Sequence, residues 1–415
     1  MGQEESQIAT AAAPNRDGKS WAVRLGLFLL AAYAVFAIWN IHLHKDTNQW
    51  DFKAHYFAGQ AHALGQNPYH RALLRHLAGS RVPQWYGYPP QVIWLFRFFN
   101  LFSFPVAYDV FLIFKVLLLA GLLFLWRKHF LAETAGPAFY LFALLAFNQT
   151  IYVDFLAGNT SLLEQAGLWA AFYFFLKGRL PAFCALIVLA ANLKLTPIVF
   201  ILLLLLKQER KKYLYIAASF VAFFGIQAAA LLASPFAKDF LGLLVALERD
   251  SGGINNPSTY TFSKKVSRMA AGVIGGLDPA PMGRILFIVA VGFVLFFSGR
   301  AFLRLAGSRR PDRDRLAVFL ACLTLCLISP RMKDYYYIIL IVPAYYALKK
   351  AVKPGSAALL FLLFCLSLPT TNNLPGLTPV WRLFWDYFPF VSALAVWMLT
   401  LRLIRRDPSV QADIR

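Results

Sequence analysis

The chain has 415 residues, of which 59% are hydrophobic and only 15% are charged. Soluble globular chains are typically about 45–50% apolar and about 25% charged, and one helical crossing of a bilayer needs roughly 20 apolar residues. The composition therefore excludes a soluble enzyme, a disordered chain and a protein with a single membrane anchor. It predicts an all-α polytopic membrane protein.

The formal net charge of +21 comes from 41 Lys and Arg against 20 Asp and Glu. The basic residues stand at the ends of apolar runs, which is how polytopic proteins mark their cytoplasmic side. Membrane lipids are therefore expected partners, and nucleic acid is not.

In chain order, residues 1–20 are predicted to form a disordered cytoplasmic tail, and residues 21–40 an uncleaved first span. A single transmembrane domain is expected over 21–406, before a second cytoplasmic tail at 407–415. The later spans are predicted at 105–126, 137–148, 160–176, 214–233, 284–303, 316–328, 335–348, 355–368 and 388–401.

One further apolar stretch, 180–206, is interrupted by Asn192-Leu193-Lys194-Leu195-Thr196-Pro197. Each half is too short to span a bilayer alone, and a broken helix is tolerated where it is buried in protein or lines a cavity. The stretch therefore predicts a re-entrant hairpin or a broken helix pair. It brings the total to about 12 transmembrane or re-entrant helices.

The distribution of Lys and Arg sets the expected topology. The proposed cytoplasmic segments hold 22 of them in 70 residues, and the proposed outer segments hold 14 in 150. This difference favours both termini inside. Two long extracytoplasmic loops are predicted, 41–104 and 234–283, with a short outer segment at 149–159. Within the first loop, 52–65 has the composition of a helix, and the aromatic segment 91–104 is suited to the membrane interface.

Asp51 follows the first span where membrane meets water, and a carboxylate there can accept a proton from a hydroxyl. A solvated loop aspartate is the simpler interpretation, and Asp46 is a competing acid.

The segment Tyr86-Gly87-Tyr88-Pro89-Pro90 is a turn rich in aromatic rings, which suit sugar rings or an interfacial belt equally well. His55 and His62 share a helix face, but no tight metal-ligand spacing is present, so no metal site is predicted.

Ionisable residues inside the membrane are costly and point to function. The candidates are Lys115, Glu164 and Lys194. Lys194 stands at the helix break, where its ammonium could bind a phosphate or form an internal ion pair with Glu164.

Later in the chain, Arg331 and Lys333 occupy a very short outer turn, against the general pattern in which Lys and Arg lie on the cytoplasmic side. A phosphate group at the outer surface would compensate them, and Asp334 is the simpler compensator.

Together these segments resemble the glycosyltransferases of family 87, which are polytopic GT-C-fold enzymes that include polyprenol-phosphate-mannose-dependent mannosyltransferases. The resemblance lies in Asp51 to Tyr69 (DFKAHYFAGQAHALGQNPY), Tyr86 to Pro90, Gly158 to Ser161, Leu193 to Pro197 and Ser329-Pro330-Arg331. Two departures are Gly158-Asn159 in place of the commoner Gly-Gln, and Arg331, Lys333 and Asp334 where the mannosyltransferase branch tends to carry histidine.

The resemblance implies a GT-C-type bundle that transfers a sugar with inversion at the outer face of the bacterial cytoplasmic membrane. The donor would be a polyprenyl-phosphate sugar, with mannose favoured, and the acceptor a glycolipid or glycan. Asp51 would be the catalytic base. From the positions of their charges, Lys194, Arg331 and Lys333 are expected to bind the donor phosphate, and no cofactor or metal is expected. The residues expected to contact sugar or acceptor are His55, Tyr56, Tyr86, Tyr88, Asn159, Asn255, Asn256 and Asp334.

A lipid or sugar transporter is the alternative from another class, because broken helices with a buried charge are also typical of transporters. Against it, the sequence shows no repeated half and no second broken pair.

Overall fold

The structure, a computed structural model, describes residues 16–44, 47–79, 85–132, 136–249, 256–276, 278–353, 356–367 and 378–405. Residues 1–15 of the first predicted tail and the whole of the second, 407–415, lie outside these ranges. The described residues form helices and no strands, so the predicted all-α class is confirmed.

Eleven α-helices lie in the described ranges between Arg16 and Val273. They are α1 (Arg16–Leu43), α2 (Trp50–Ala63), α3 (Arg71–Ala78), α4 (Pro90–Phe96), α5 (Phe104–Leu125), α6 (Pro137–Ala157), α7 (Ser161–Leu176), α8 (Leu180–Leu193), α9 (Lys212–Ala233), α10 (Ala237–Arg249) and α11 (Thr259–Val273). A 3-10 segment, Arg97–Leu101, extends α4, a π-helical turn, Trp126–Phe130, extends α5, and a 3-10 segment, Thr196–Leu206, follows α8.

The remaining helices are α12 (Pro279–Gly307), α13 (Arg313–Ile328), α14 (Ile341–Ala351), α15 (Ala357–Leu366), α16 (Pro379–Asp386) and α17 (Phe388–Arg405), with a 3-10 segment, Asp334–Leu340, leading into α14.

Five segments in the described part of the chain are long and apolar enough to cross a membrane. They are Phe104–Phe130, Pro137–Ala157, Lys212–Ala233, Pro279–Gly307 and Phe388–Arg405. Only 17% of the most apolar part of α9 and of α12 is buried in protein, and soluble proteins rarely expose apolar faces of this kind. The chain is thus a membrane protein, but the expected count of about 12 helices is not confirmed.

The apolar stretch 180–206 is broken at the predicted place. Helix α8 ends at Leu193, Lys194 has extended backbone angles, and the segment Thr196–Leu206 begins with Pro197 in its first turn. Proline lacks the N–H that a continuing helix would need and disfavours helical geometry in the residue before it. The two halves pack against each other, so Lys194 lies at the tip of a helical hairpin.

Helix α6 departs from the expected boundaries. The segment 149–159 was expected outside the membrane, whereas α6 continues to Ala157 across a left-handed turn at Phe147, Asn148 and Gln149. Gln149 and Thr150 are the two polar residues that follow the expected end of the span at 148. In the structure, Gln149 Oε1 accepts a hydrogen bond from Tyr33 Oη at 2.9 Å, and Thr150 Oγ1 donates to the Asp334 carbonyl at 2.6 Å. Helical geometry is interrupted at 146–149, close to the expected end of the span, and protein groups satisfy the polar side chains at this break.

The two long connections are largely helical where the structure describes them. Helix α2 coincides with the helix expected at 52–65, and α4 with its 3-10 extension covers most of the aromatic segment 91–104. Helices α10 and α11 lie in the second connection. Four chain segments meet at one end of the bundle: the start of α2, the turn between α6 and α7, the end of α8 and the turn after α13.

Candidate active site

A cavity of about 680 Å³ opens where these four segments meet. This volume falls in the range of small-molecule sites, roughly 300–1,000 Å³. Its described lining residues include one carboxylate, Asp51, three cations and a set of aromatic rings. The cations are Lys194, Arg331 and Lys333, and the rings belong to Trp85, Tyr88, Phe240, Tyr260, Phe287, Tyr335 and Tyr336.

Asp51 lies in the first turn of α2 and is only 7% exposed. Its Oδ2 accepts a hydrogen bond from Asn159 Nδ2 at 2.6 Å. Burial raises the pKa of Asp51 to about 6, while the Asn159 hydrogen bond and the charge of Lys194 act in the opposite direction. A carboxyl with a pKa in this range is ionised at neutral pH and still basic enough to take a proton.

The start of α2 is attached to the end of α6 through Gln49. The Gln49 backbone N–H donates to the Leu156 carbonyl at 3.1 Å, and its side-chain amide donates to the carbonyls of Phe155 and Leu156, both at 3.0 Å. These carbonyls belong to the last turn of α6, where helices leave acceptors unpaired. The same bonds therefore complete α6 and fix the first turn of α2, which carries Asp51.

Gly158 allows this close approach. Its φ is +64°, and a Cβ atom built there would lie 2.3 Å from Gln49 Oε1 and 2.7 Å from Phe52 Cβ. Only glycine combines a positive φ with no side chain at low cost. Gly158 thus lets the turn between α6 and α7 contact α2, and it brings the next residue, Asn159, against Asp51.

The orientation of the Asn159 side-chain amide is fixed by the groups that donate hydrogen bonds to its oxygen. Its Oδ1 accepts from the Ser161 backbone N–H at 2.9 Å and from Lys194 Nζ at 3.1 Å. Both groups can only donate, so the amide NH₂ must face Asp51. Asn159 Nδ2 also lies 3.4 Å from Tyr88 Oη.

Lys194 is buried and directed toward protein acceptors. Its Nζ lies 3.0 Å from Glu164 Oε2, 2.7 Å from Ser161 Oγ and 3.1 Å from Asn159 Oδ1. An ammonium has three hydrogens, and these three acceptors match them. The structure therefore contains the internal ion pair with Glu164 that the sequence left open, and Lys194 also lines the cavity with its Nζ 4.4 Å from the centre of the Tyr336 ring.

Arg331 and Lys333 lie on the turn after α13, on the cavity wall. Arg331 is exposed and Lys333 half-buried. The turn is held from the second long connection: Asn256 Oδ1 accepts from the Met332 N–H at 2.6 Å, and Ser258 Oγ donates to the Pro330 carbonyl at 2.7 Å. The two cations are thus presented to the cavity by a braced turn.

Not every residue expected at the site lies on the cavity wall. His55 and Tyr86 pack behind Tyr88, with the His55 ring stacked on Phe96 at 4.0 Å. Tyr56 packs instead against Phe57 and Phe104. Neither His55 nitrogen has a hydrogen-bond partner among the described residues, and burial, aided by the Lys194 charge, lowers the pKa of His55 to about 3. His55 is therefore uncharged at neutral pH.

Asn256 and Asp334 brace the site from outside the described cavity lining. Asn256 holds the Met332 N–H, and the Asp334 carbonyl accepts from Thr150 Oγ1. Asn255 and the competing acid Asp46 lie outside the described residues. In the described part of the chain, no three His, Cys, Asp or Glu side chains come close enough to share a metal ion.

Sequence reasoning missed several groups of the site. Ser161 stood inside a quoted segment, and Tyr335 and Tyr336 stood at the start of a predicted span, all three without an assigned role. Trp85, Phe240, Tyr260 and Phe287 were not singled out. The aromatic residues had no distinguishing signal, because 16% of the chain is aromatic. Ser161 could have been found from its spacing, since an Asn side chain commonly accepts from the backbone N–H two residues on.

Comparison with known proteins gives one family. The model of glycosyltransferase family 87 matches residues 85–330, which is more than half of the chain and confirms the resemblance. The matched region includes Tyr88, Asn159, Lys194 and Pro330, and Asp51 lies before it. No curated protein and no solved structure matches the chain.

Proposed function

The chain belongs to glycosyltransferase family 87, and we propose that it transfers a sugar from a polyprenyl-phosphate donor to a glycolipid or glycan acceptor. Mannose is the favoured sugar. The observation that carries the proposal is a cavity in which a buried, oriented carboxylate, Asp51, shares the lining with the cations Arg331 and Lys333.

In the proposed reaction, an acceptor hydroxyl attacks the anomeric carbon of the donor. The new carbon–oxygen bond forms as the bond between the anomeric carbon and the phosphate oxygen breaks, and its electron pair leaves with the polyprenyl phosphate. The hydroxyl proton passes to Asp51. Direct displacement inverts the anomeric centre and needs a single base, whereas retention by the double-displacement route needs two carboxylates about 5 Å apart. Asp51 is the one carboxylate among the described lining residues.

The leaving phosphate gains negative charge as the bond breaks, and fixed cations at that position stabilise the transition state. Arg331 and Lys333 are suited to contact the phosphate, because they reach the cavity from a braced turn. Lys194 contributes its charge from a position where its hydrogens already bond to Asn159, Ser161 and Glu164. Tyr88, Tyr335 and Tyr336 offer ring faces and hydroxyl groups to a sugar.

We place the reaction at the outer face of the bacterial cytoplasmic membrane, with both termini inside and residues 21–406 as one transmembrane domain. Two observations support this orientation. Lys and Arg are denser in the segments expected inside. Lys207, which belongs to one of those segments and lies 2.5 Å from Asp314 Oδ2, is at the base of the broken hairpin, whereas Lys194 is at its tip. The cavity that Lys194 lines therefore faces away from the segments expected inside.

A transporter is the weaker candidate, because membership in a glycosyltransferase family favours an enzyme. The two are separated by giving purified protein in nanodiscs synthetic polyprenyl-phosphate sugars or nucleotide sugars. We expect cleavage of a polyprenyl-phosphate sugar with release of polyprenyl phosphate and transfer to the acceptor. Use of nucleotide sugars instead, or movement of lipid across vesicle membranes without cleavage, would contradict the proposal.

A further inference from the structure

A buried ion pair lies inside the membrane-spanning helices, next to the site but off the described cavity wall. Lys115 of α5 and Asp154 of α6 approach to 2.6 Å between Nζ and Oδ2, with side-chain exposures of 3% and 0%. Charged groups at such depth are costly, and they are retained mostly where they serve function. The mechanism above gives neither residue a part.

The hydrogens of Lys115 connect this pair to the site. Besides Asp154 Oδ2, Lys115 Nζ donates to the backbone carbonyl of Asp154 at 2.7 Å and to that of Asn159 at 3.0 Å. These three acceptors match the three hydrogens of the ammonium. The two carbonyls bracket the turn that contains Gly158. The ammonium therefore ties the end of α6 to the residue whose side chain holds Asp51.

We propose that Lys115 is a positioning residue for the catalytic base: it holds the Asn159 turn so that the Asn159 amide meets Asp51. This inference rests on the proposed function, since it assumes that Asp51 is the base. Lys115 acts through Asn159 and does not contact the substrate. Asp154 neutralises the ammonium and keeps it at this depth.

A purely structural ion pair makes a different prediction. Replacing both partners of a buried pair by apolar residues of similar volume is often neutral for stability. If Lys115 and Asp154 only stabilise the fold, Lys115→Met with Asp154→Leu should restore it and leave catalysis intact. If Lys115 positions the turn, the same double variant folds but has lost the donor to the Asn159 carbonyl.

The decisive readout is the pH profile of transfer. Looser contact between Asn159 and Asp51 removes a hydrogen bond that favours the carboxylate, so the acid limb of the profile should move to higher pH. Asp51 interacts with charged or titratable groups from every neighbouring element: Lys115, Asp154, Lys194, Lys333, Tyr88 and Tyr335. The double variant removes one positive and one negative member of this set, so its direct electrostatic effects on Asp51 oppose each other.

The experiment measures kcat, donor KM and pH dependence of the double variant in nanodiscs. Misplacement of a reacting group by about 1 Å can cost about a hundredfold in rate, so we expect kcat to fall roughly tenfold to a hundredfold, with donor KM nearly unchanged and the acid limb raised. The control is Lys207→Met with Asp314→Leu, a partly buried ion pair at the base of the broken hairpin, which should leave the limb in place.

Wild-type kcat and an unmoved acid limb in the folded double variant would overturn the proposal. If the double variant does not fold, Lys115→Arg replaces it, because arginine keeps the charge opposite Asp154 and redirects its N–H groups. Unchanged kcat and limb there would overturn the proposal equally. Failure of the proposed function looks different: the wild-type protein would then transfer no sugar, or Asp51→Asn would transfer it normally.

Discussion

Asn159 donates its side-chain amide to Asp51 over 2.6 Å while its amide oxygen accepts from Lys194 over 3.1 Å. One asparagine thus separates the site's buried carboxylate from its buried ammonium. A hydrogen bond from a neutral amide favours the carboxylate form less strongly than a direct ion pair with an ammonium does. The arrangement keeps Asp51 oriented and still able to take a proton.

The pH dependence of transfer follows from the state of Asp51. Burial raises its pKa to about 6, and only the carboxylate form accepts a proton. Transfer should therefore be independent of pH above this value and fall up to about tenfold per unit below it. The measurement is kcat/KM across the range from about pH 5 to 8, and a flat profile down to pH 5 would contradict the assignment. Burial also raises the pKa of Asp334 to about 7, so Asp334→Asn, which should leave the limb where it is, serves as the control.

The same prediction extends to Asn159→Ala. Its hydrogen bond lowers the pKa of Asp51, so removing the amide should shift the acid limb to higher pH as well as reduce kcat. Asn100→Ala is the matched control, because Asn100 Nδ2 also bonds to α2, at the Tyr56 carbonyl, away from the carboxylate. Equal shifts in both variants would argue against a specific role of Asn159.

Arg331→Gln and Lys333→Gln should each lower kcat/KM for the donor. Loss of one group that stabilises developing charge typically costs a hundredfold or more when the group is buried, and roughly tenfold is expected here because these side chains reach solvent. The effect is measured as kcat/KM at fixed acceptor concentration. Arg268→Gln, which removes an exposed cation from α11, should have no such effect. A loss confined to acceptor KM would contradict phosphate binding.

Lys194→Met should affect stability and activity separately. It leaves the Glu164 carboxylate buried without its cation, and breaking a buried pair in this way costs about 3–5 kcal/mol. Adding Glu164→Gln removes the stranded charge and should recover the thermal stability of the protein in detergent, but not transfer, because Asn159 still lacks its donor. Recovery of full transfer in the double variant would show that Lys194 serves only to neutralise Glu164.

Gly158→Ala should disturb the site more than a glycine at the same φ elsewhere. The added Cβ would lie 2.3 Å from Gln49 Oε1, whereas Gly178, with φ +70°, has no atom within 4 Å of a built Cβ. Both substitutions carry the cost of a left-handed alanine, about 1–2 kcal/mol, but only Gly158→Ala also pushes α2 away. Thermal stability and transfer of the two variants are compared, and similar losses in both would contradict the proposed contact.

The sequence predicted the features that follow from local chemistry. Pro197 and the charge at Lys194 indicated a helix break, and the composition indicated a membrane protein. Asp51, Lys194 and the turn that carries Arg331 and Lys333 are far apart in sequence yet line one cavity.

The features that could not be predicted from the sequence depend on tertiary contacts. The span expected at 137–148 continues after a break as helix to Ala157, and nothing local shows that Tyr33 and the Asp334 carbonyl would satisfy Gln149 and Thr150. Lys194 could equally have bound a phosphate or Glu164, since the choice depends on how α7 packs against α8. His55 was expected at the site because it lies one helical turn after Asp51. In the structure its ring packs between the rings of Tyr88 and Phe96.

The central claim is that Asp51 is the base of a sugar transfer. Its most direct test is transfer of radiolabelled mannose from synthetic polyprenyl-phosphate mannose by protein in nanodiscs, comparing wild type with Asp51→Asn. The control is Asp109→Asn, which changes a half-exposed aspartate paired with His42 on α1. We predict that Asp51→Asn lowers the rate by roughly 10²–10⁴-fold, while Asp109→Asn leaves it unchanged. A folded Asp51→Asn variant that transfers mannose at the wild-type rate would contradict the account.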